Sequence, residues 1–122
     1  VNERQLGIDK IKKRERKEDV FVRDPLKRYL EVRGWKVKII HGGKFQYGLP
    51  DLYATHKRYG PRWIECKLPR MQGSQFTKAQ LEWLPIMDAN GSPVWVLTAA
   101  NEHEYKKLFK KSNLTEMMLM TI

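Results

Sequence analysis

Three residues in the stretch GLPDLYATHKRYGPRWIECKLP (48–69) are of types that do chemistry together: Asp51, Glu65 and Lys67. Read as a strand, RWIECK turns Glu65 and Lys67 to one face, about 6.5–7 Å apart, and Ile64 and Cys66 to the other. Asp51 heads the preceding strand, and a turn through KRYGP folds the two strands into a hairpin. Two carboxylates and an ammonium then meet at one end of a sheet. Paired carboxylates repel unless they share a proton or a cation. A hard divalent ion, Mg²⁺ or Mn²⁺, takes oxygen ligands of this kind. Such an ion polarises a phosphate and acidifies a bound water. Lys67 stands where it can orient that water or offset charge on a phosphorane-like transition state. That chemistry is hydrolysis of a phosphodiester. Taken alone, the pattern is degenerate, because an exposed Glu65–Lys67 pair and a turn-forming Asp51 would look the same.

The surrounding elements must bring these residues together. A helix is expected from Glu18 to Arg33, with Leu26, Tyr29 and Leu30 at helical spacing and Gly34 as its stop. Asp24-Pro25 looks like a cap and first helical position, so the helix starts or kinks there. WKVKIIH is a first strand, DLYATH a second and RWIECK a third. Thr77 opens a second helix that ends at Gly91, with Pro85 expected to kink it. PVWVLT reads as a strand buried on both faces. Asn101 caps a basic helix to about Lys111, and the tail TEMMLMTI is apolar enough to need cover. The order is α-β-β-β-α-β-α, which is an α/β fold with a central sheet flanked by helices. Residues 1–17 form a basic arm, and 18–122 a single domain.

At 122 residues the chain is long enough for one core without staples. Lys and Arg exceed Asp and Glu by 24 to 14, a formal charge of +10. So large an excess self-repels unless a polyanion compensates it, and nucleic acid is the first suspect, with an anionic membrane surface the second. No apolar run reaches the length of a membrane span, and no secretory signal pattern is present. The single cysteine, Cys66, forms no internal disulfide and no CxxC zinc spacing exists. An intracellular, reducing setting is expected.

Pro50-Asp51 followed by Glu65-Cys66-Lys67, across a hairpin and within this element order, resembles the PD-(D/E)XK nuclease superfamily. GLPDLY, WIECK, a loop with Gly73, and Gln80 within KAQLEWL are similar to the VRR-NUC family over roughly residues 18–100. The resemblance implies a restriction-endonuclease-like core with a mixed sheet. It also implies Asp51 and Glu65 as metal-binding acids, the Cys66 backbone carbonyl as a third ligand and Lys67 as the catalytic lysine. Gln80 matches a site-facing glutamine on the helix after the Glu-x-Lys strand. It also fits a capping box with Thr77, and one side chain does not easily serve both. An acid from the first helix is implied as well; Glu18 and Asp19 are candidates, and Glu18 reaches further. The implied activity is an Mg²⁺- or Mn²⁺-dependent endonuclease on branched DNA such as Holliday junctions. The implied assembly is a homodimer, in a viral or mobile-element setting, with no small-molecule cofactor.

Lys44, Arg58 and Arg70 lie in loops around the hairpin and are candidate DNA-phosphate contacts. Nucleases for flaps, nicks or plain duplex, and a catalytically silent nucleic-acid-binding domain, are the competing readings. His41, His56 and His103 have no ligand spacing between them, and the alternation that exposes Lys67 turns the Cys66 thiol into the core.

Overall fold

The computed structural model describes residues 17–40 and 48–120. Most of the basic arm, His41, Lys44 and the last two residues lie outside them. Four strands form one mixed sheet in the order β1-β2-β3-β4: Trp35–Ile39, Leu52–His56, Gly60–Cys66 and Val94–Leu97. The first three make an antiparallel meander, and β3 pairs parallel with β4. A parallel neighbour requires a crossover, and helix α2 (Lys78–Ala89) lies on it.

Helix α1 has a π-helical first turn, Asp19–Arg23, and an α-helical body, Asp24–Val32. Here the expectation at Asp24-Pro25 is corrected: the helix runs through Pro25, and Asp24 makes no side-chain cap. Proline cannot donate to the ladder, and its ring conflicts with the carbonyl four residues back. The wider turn upstream accommodates this, with the Asp24 N–H bonded to the Asp19 carbonyl, five residues back. Val22, Leu26 and Leu30, four apart, are fully buried. A straight α-helix drifts about 40° per four-residue step, so Glu18 would stand about 120° round from Leu30. The π-turn reverses part of that drift and keeps Glu18 over the sheet end.

One face of the sheet (Leu52, Ala54, Ile64, Cys66, Trp95, Leu97) packs against α1 and Leu108. On the other, Trp63, Val94 and Val96 pack against Leu84 and Met87 of α2 and against the tail. All four residues of β4 are buried, as its composition requires. Pro85 does not end α2, which is unbroken to Ala89 with the proline exposed.

Beyond β4 the expected single basic helix is two pieces, α3 (Glu102–Tyr105), capped by Asn101, and a 3₁₀ turn at Lys106–Phe109. The tail adds an unexpected helix, α4 (Leu114–Leu119), which buries Leu114 and Met117 against the domain's own core. Leu119 and Met120 stay exposed. No helix among the described residues is long and apolar enough to cross a membrane.

Candidate active site

The β2–β3 ladder ends at the Leu52–Ile64 pair, and its next rung is made by side chains. The Cys66 N–H donates to Asp51 Oδ2 at 2.9 Å, and the Asp51 N–H donates to Glu65 Oε1 at 3.2 Å. Register places Asp51 across from Glu65, so both carboxylates lie on the face covered by α2. Gly48 lets the chain arrive there. Its φ is +84°, and a Cβ would come within 2.8 Å of the Ala79 carbonyl oxygen in the first turn of α2.

Glu65 and Lys67 are almost wholly buried, at 1% and 2% exposure. Lys67 Nζ lies 3.3 Å from Glu65 Oε2 and donates to Gln80 Oε1 at 3.0 Å and the Gln75 carbonyl at 3.1 Å. The Phe76 ring flanks the ammonium, 4.9 Å from Nζ to its centroid. Gln80 Nε2 donates to Glu65 Oε2 at 2.5 Å. Meanwhile Gln80 Oε1 accepts the Thr77 N–H at 3.0 Å, and the Gln80 N–H donates to Thr77 Oγ1 at 3.1 Å. The two roles that looked exclusive in the sequence are filled at once. A carbonyl oxygen has two lone pairs, so Oε1 can take the cap N–H and the lysine while the amide nitrogen holds the glutamate.

Of the two first-helix candidates, Glu18 reaches the site and Asp19 pairs with Arg23. Ser74 Oγ donates to Glu18 Oε1 in a short hydrogen bond and accepts the Leu68 N–H at 3.0 Å. Sequence reasoning missed Ser74, since a serine next to a loop glycine carries no signal of burial. Arg23 was missed too; its charge acts on Asp51 from the π-turn.

Burial dominates the electrostatics. It pushes the Glu65 carboxyl well above the usual range, and Asp51 adds to the rise. Asp51 is raised by burial against the Cys66 N–H, Glu65, Lys67 and Arg23, which pull the other way. Glu18 is raised by burial against Ser74 and Lys67. Three carboxyls face one buried ammonium, so with all ionised the site is short of two positive charges. Hard oxygen donors and a twofold deficit fit a divalent cation in chemistry and charge. Asp51, Glu65 and Glu18 would hold it. The Cys66 carbonyl qualifies too, because a strand residue's N–H and C=O face the same neighbour and this N–H faces Asp51. At present Glu65 is tied to Gln80, Lys67 and the Asp51 backbone. Among the described residues no three acidic, His or Cys side chains yet stand in a ligand cluster.

Comparison with family models, curated proteins and solved structures finds no match to this chain.

The phosphate candidates separate. Arg70 is exposed in the 3₁₀ turn Pro69–Met71 that follows Lys67, with a left-handed backbone at φ 57°. Arg58 sits at the opposite end of the hairpin, about 17 Å of strand from Asp51, and is not brought to the site. Lys44 lies outside the described residues. His56 is structural: Nδ1 accepts the Arg58 N–H at 3.0 Å and Nε2 faces the Arg33 carbonyl at 3.1 Å. Burial and the neighbouring acids push the Cys66 thiol well up, which suits a core residue and not a nucleophile.

The double duty of Gln80 can be measured. Thr77→Ala removes one cap and should cost about 1 kcal/mol. Gln80→Ala also strips a partner from two buried charged groups and should cost about 2–3 kcal/mol. Urea denaturation of the metal-free protein reads both; equal losses would reduce Gln80 to a cap.

Proposed function

We propose that this chain is a divalent-cation-dependent endonuclease with a restriction-endonuclease-like core, acting on DNA as a homodimer and preferring branched substrates. An intracellular setting goes with the reading, since Cys66 is free and buried. The observation that carries it is the buried Asp51–Glu65 pair with Glu18, Lys67 and Gln80 around it, three carboxyls to one ammonium, in a chain of net charge +10. Burying adjoining carboxyls costs stability that a purely structural role does not require.

Bound Mg²⁺ or Mn²⁺ supplies polarisation of a phosphate and a water of lowered pKa. The chain's own residues do the rest. Asp51, Glu65 and Glu18 would hold the ion through hard oxygens, and Ser74 fixes the Glu18 carboxylate. Gln80 and the Gln75 carbonyl hold the Lys67 ammonium in place, which sets its angle to the carboxylates. An ammonium has three donors, and Gln75, Gln80 and Glu65 account for them. A donor that Glu65 releases points at the carboxylate pair, where it orients a water or meets charge developing on a phosphate oxygen.

The test is a panel of junction, flap, nicked and plain duplex DNA, incubated with Mg²⁺, Mn²⁺ or chelator. The expected result is cation-dependent cutting, fastest on junctions, with symmetric paired nicks. Binding that chelator leaves unchanged, without cutting in either metal, would replace the enzyme with a silent DNA-binding domain. Cutting without preference among the substrates would remove the branched-DNA clause alone.

A further inference from the structure

The segment KKLFKKSN (106–113) carries two lysine pairs four residues apart, then two small polar residues. Its course is fixed by an edge problem. β4 is an outer strand, and its outward backbone groups would be unpaired. Ser112 Oγ donates to the Val94 carbonyl in a short hydrogen bond. Asn113 Oδ1 accepts the Val96 N–H at 2.8 Å, and Nδ2 donates to the Val96 carbonyl at 2.9 Å. Asp88 takes the Val94 N–H at 3.0 Å, and Glu104 the Thr98 N–H at 2.9 Å. Trp95 Nε1 donates to the Lys110 carbonyl at 3.0 Å. The backbone bearing Lys110 and Lys111 is thus pinned beside the sheet.

Between this segment and α4 lies a cavity of about 230 Å³, lined by Lys107, Lys110, Lys111, Asn113, Glu116 and Met117. Lys107 is held by the buried Glu104 at 2.5 Å. Lys110 and Lys111 are exposed and have no ion-pair partner among the described residues. Because their backbone is already fixed, only side-chain freedom is lost when these two cations meet an anion. Register gives its place: Val96 pairs with Glu65, and Asn113 grips Val96 from the outside. The Asn113 side-chain amide therefore takes the place of a next strand, two strand spacings from Glu65 and on the order of 10 Å away. That equals about three base pairs of rise along a duplex.

We propose that this cavity is a phosphate subsite that anchors the DNA backbone through Lys110 and Lys111, to one side of the carboxylates. The proposal rests on the DNA reading above and extends it to residues outside the proposed catalytic machinery. Glu116 is the acid in the lining that opposes the role, and it gives a second handle.

The experiment measures binding of a fluorescent DNA junction to the full chain, in chelator, between 50 and 200 mM salt. Lys110→Ala with Lys111→Ala is compared with Lys36→Ala with Lys38→Ala, an exposed pair of equal charge on the opposite edge strand, β1. Loss of the first pair should weaken binding about tenfold and lower the salt slope by about two. The β1 pair should change the slope by less than half as much. Glu116→Gln should tighten binding about threefold. Wild-type-like binding by the Lys110/Lys111 variant, or losses equal to those of the β1 pair, overturns the subsite and leaves the DNA reading standing. A wild-type chain that neither binds nor cuts DNA overturns both.

Discussion

Asp51→Asn is expected to slow cation-dependent cleavage severely and, in the same molecule, to stabilise the metal-free fold at neutral pH. Asparagine keeps a side-chain oxygen for the Cys66 N–H, which Asp51 accepts at 2.9 Å, so local geometry survives. What disappears is one of two adjoining buried negative charges. Glu65, raised by burial and then by Asp51, loses that second cause. Cleavage should fall by about 10²–10³-fold, the usual loss when one preorganised electrostatic contact is removed. Stability in chelator should rise on the order of 1 kcal/mol, the scale found when functional strain is relieved. DNA binding should hold or tighten, because a carboxylate that repels phosphate is gone. A nicking assay, urea denaturation and a binding titration on one preparation read all three. A loss of stability accompanied by a proportionate fall in activity would mean that Asp51 is structural.

Much of this site could be read from residue order because strands make a periodic promise. RWIECK alternates, so Glu65 and Lys67 had to share a face opposite Ile64 and Cys66, and they do. The antiparallel hairpin fixed Asp51 beside Glu65 in the same way. Several features escaped. Burial depth was one: the pattern gives the face a side chain occupies but not what covers it, and Lys67 is sealed by α2, Phe76 and the Gln75 carbonyl. The π-turn was another, since Asp24-Pro25 is as good a helix start as a helix interior until the packing of Val22 and Leu26 on one stripe decides it. The tail was a third. The composition of TEMMLMTI asks for cover without saying what supplies it, and the helical spacing of Leu114 and Met117 builds α4 against the second sheet face. Ser74 stayed invisible because its role depends on Glu18, 56 residues away.

The same carboxyls make metal-free stability and cation binding depend on pH in opposite directions. Glu65, Asp51 and Glu18 all have folded-state pKa values above their ordinary ones, with burial the largest cause. Between the ordinary carboxylate range near 4 and those raised values, the folded chain holds more protons than the unfolded one. Stability therefore falls as pH rises through that window. Glu104 acts oppositely: burial raises it, but Lys107 and the Thr98 hydrogen bonds outweigh burial and depress it. Its contribution is present above the ordinary glutamate value and lost as pH falls through the depressed one. In chelator, stability should then peak in mildly acid solution and decline towards pH 8. A divalent cation binds the ionised carboxylates, so it should stabilise strongly at pH 7.5 and hardly at pH 5. At a free concentration 100 times Kd the gain is about 2.7 kcal/mol. Thermal melts at both pH values, with Mg²⁺, Mn²⁺ or chelator, give the four corners of this linkage, and Asp51→Asn should flatten both dependences. A cation effect of equal size at pH 5 and pH 7.5 would place the ion elsewhere on the protein, because a site made of these three carboxyls must compete with their protons.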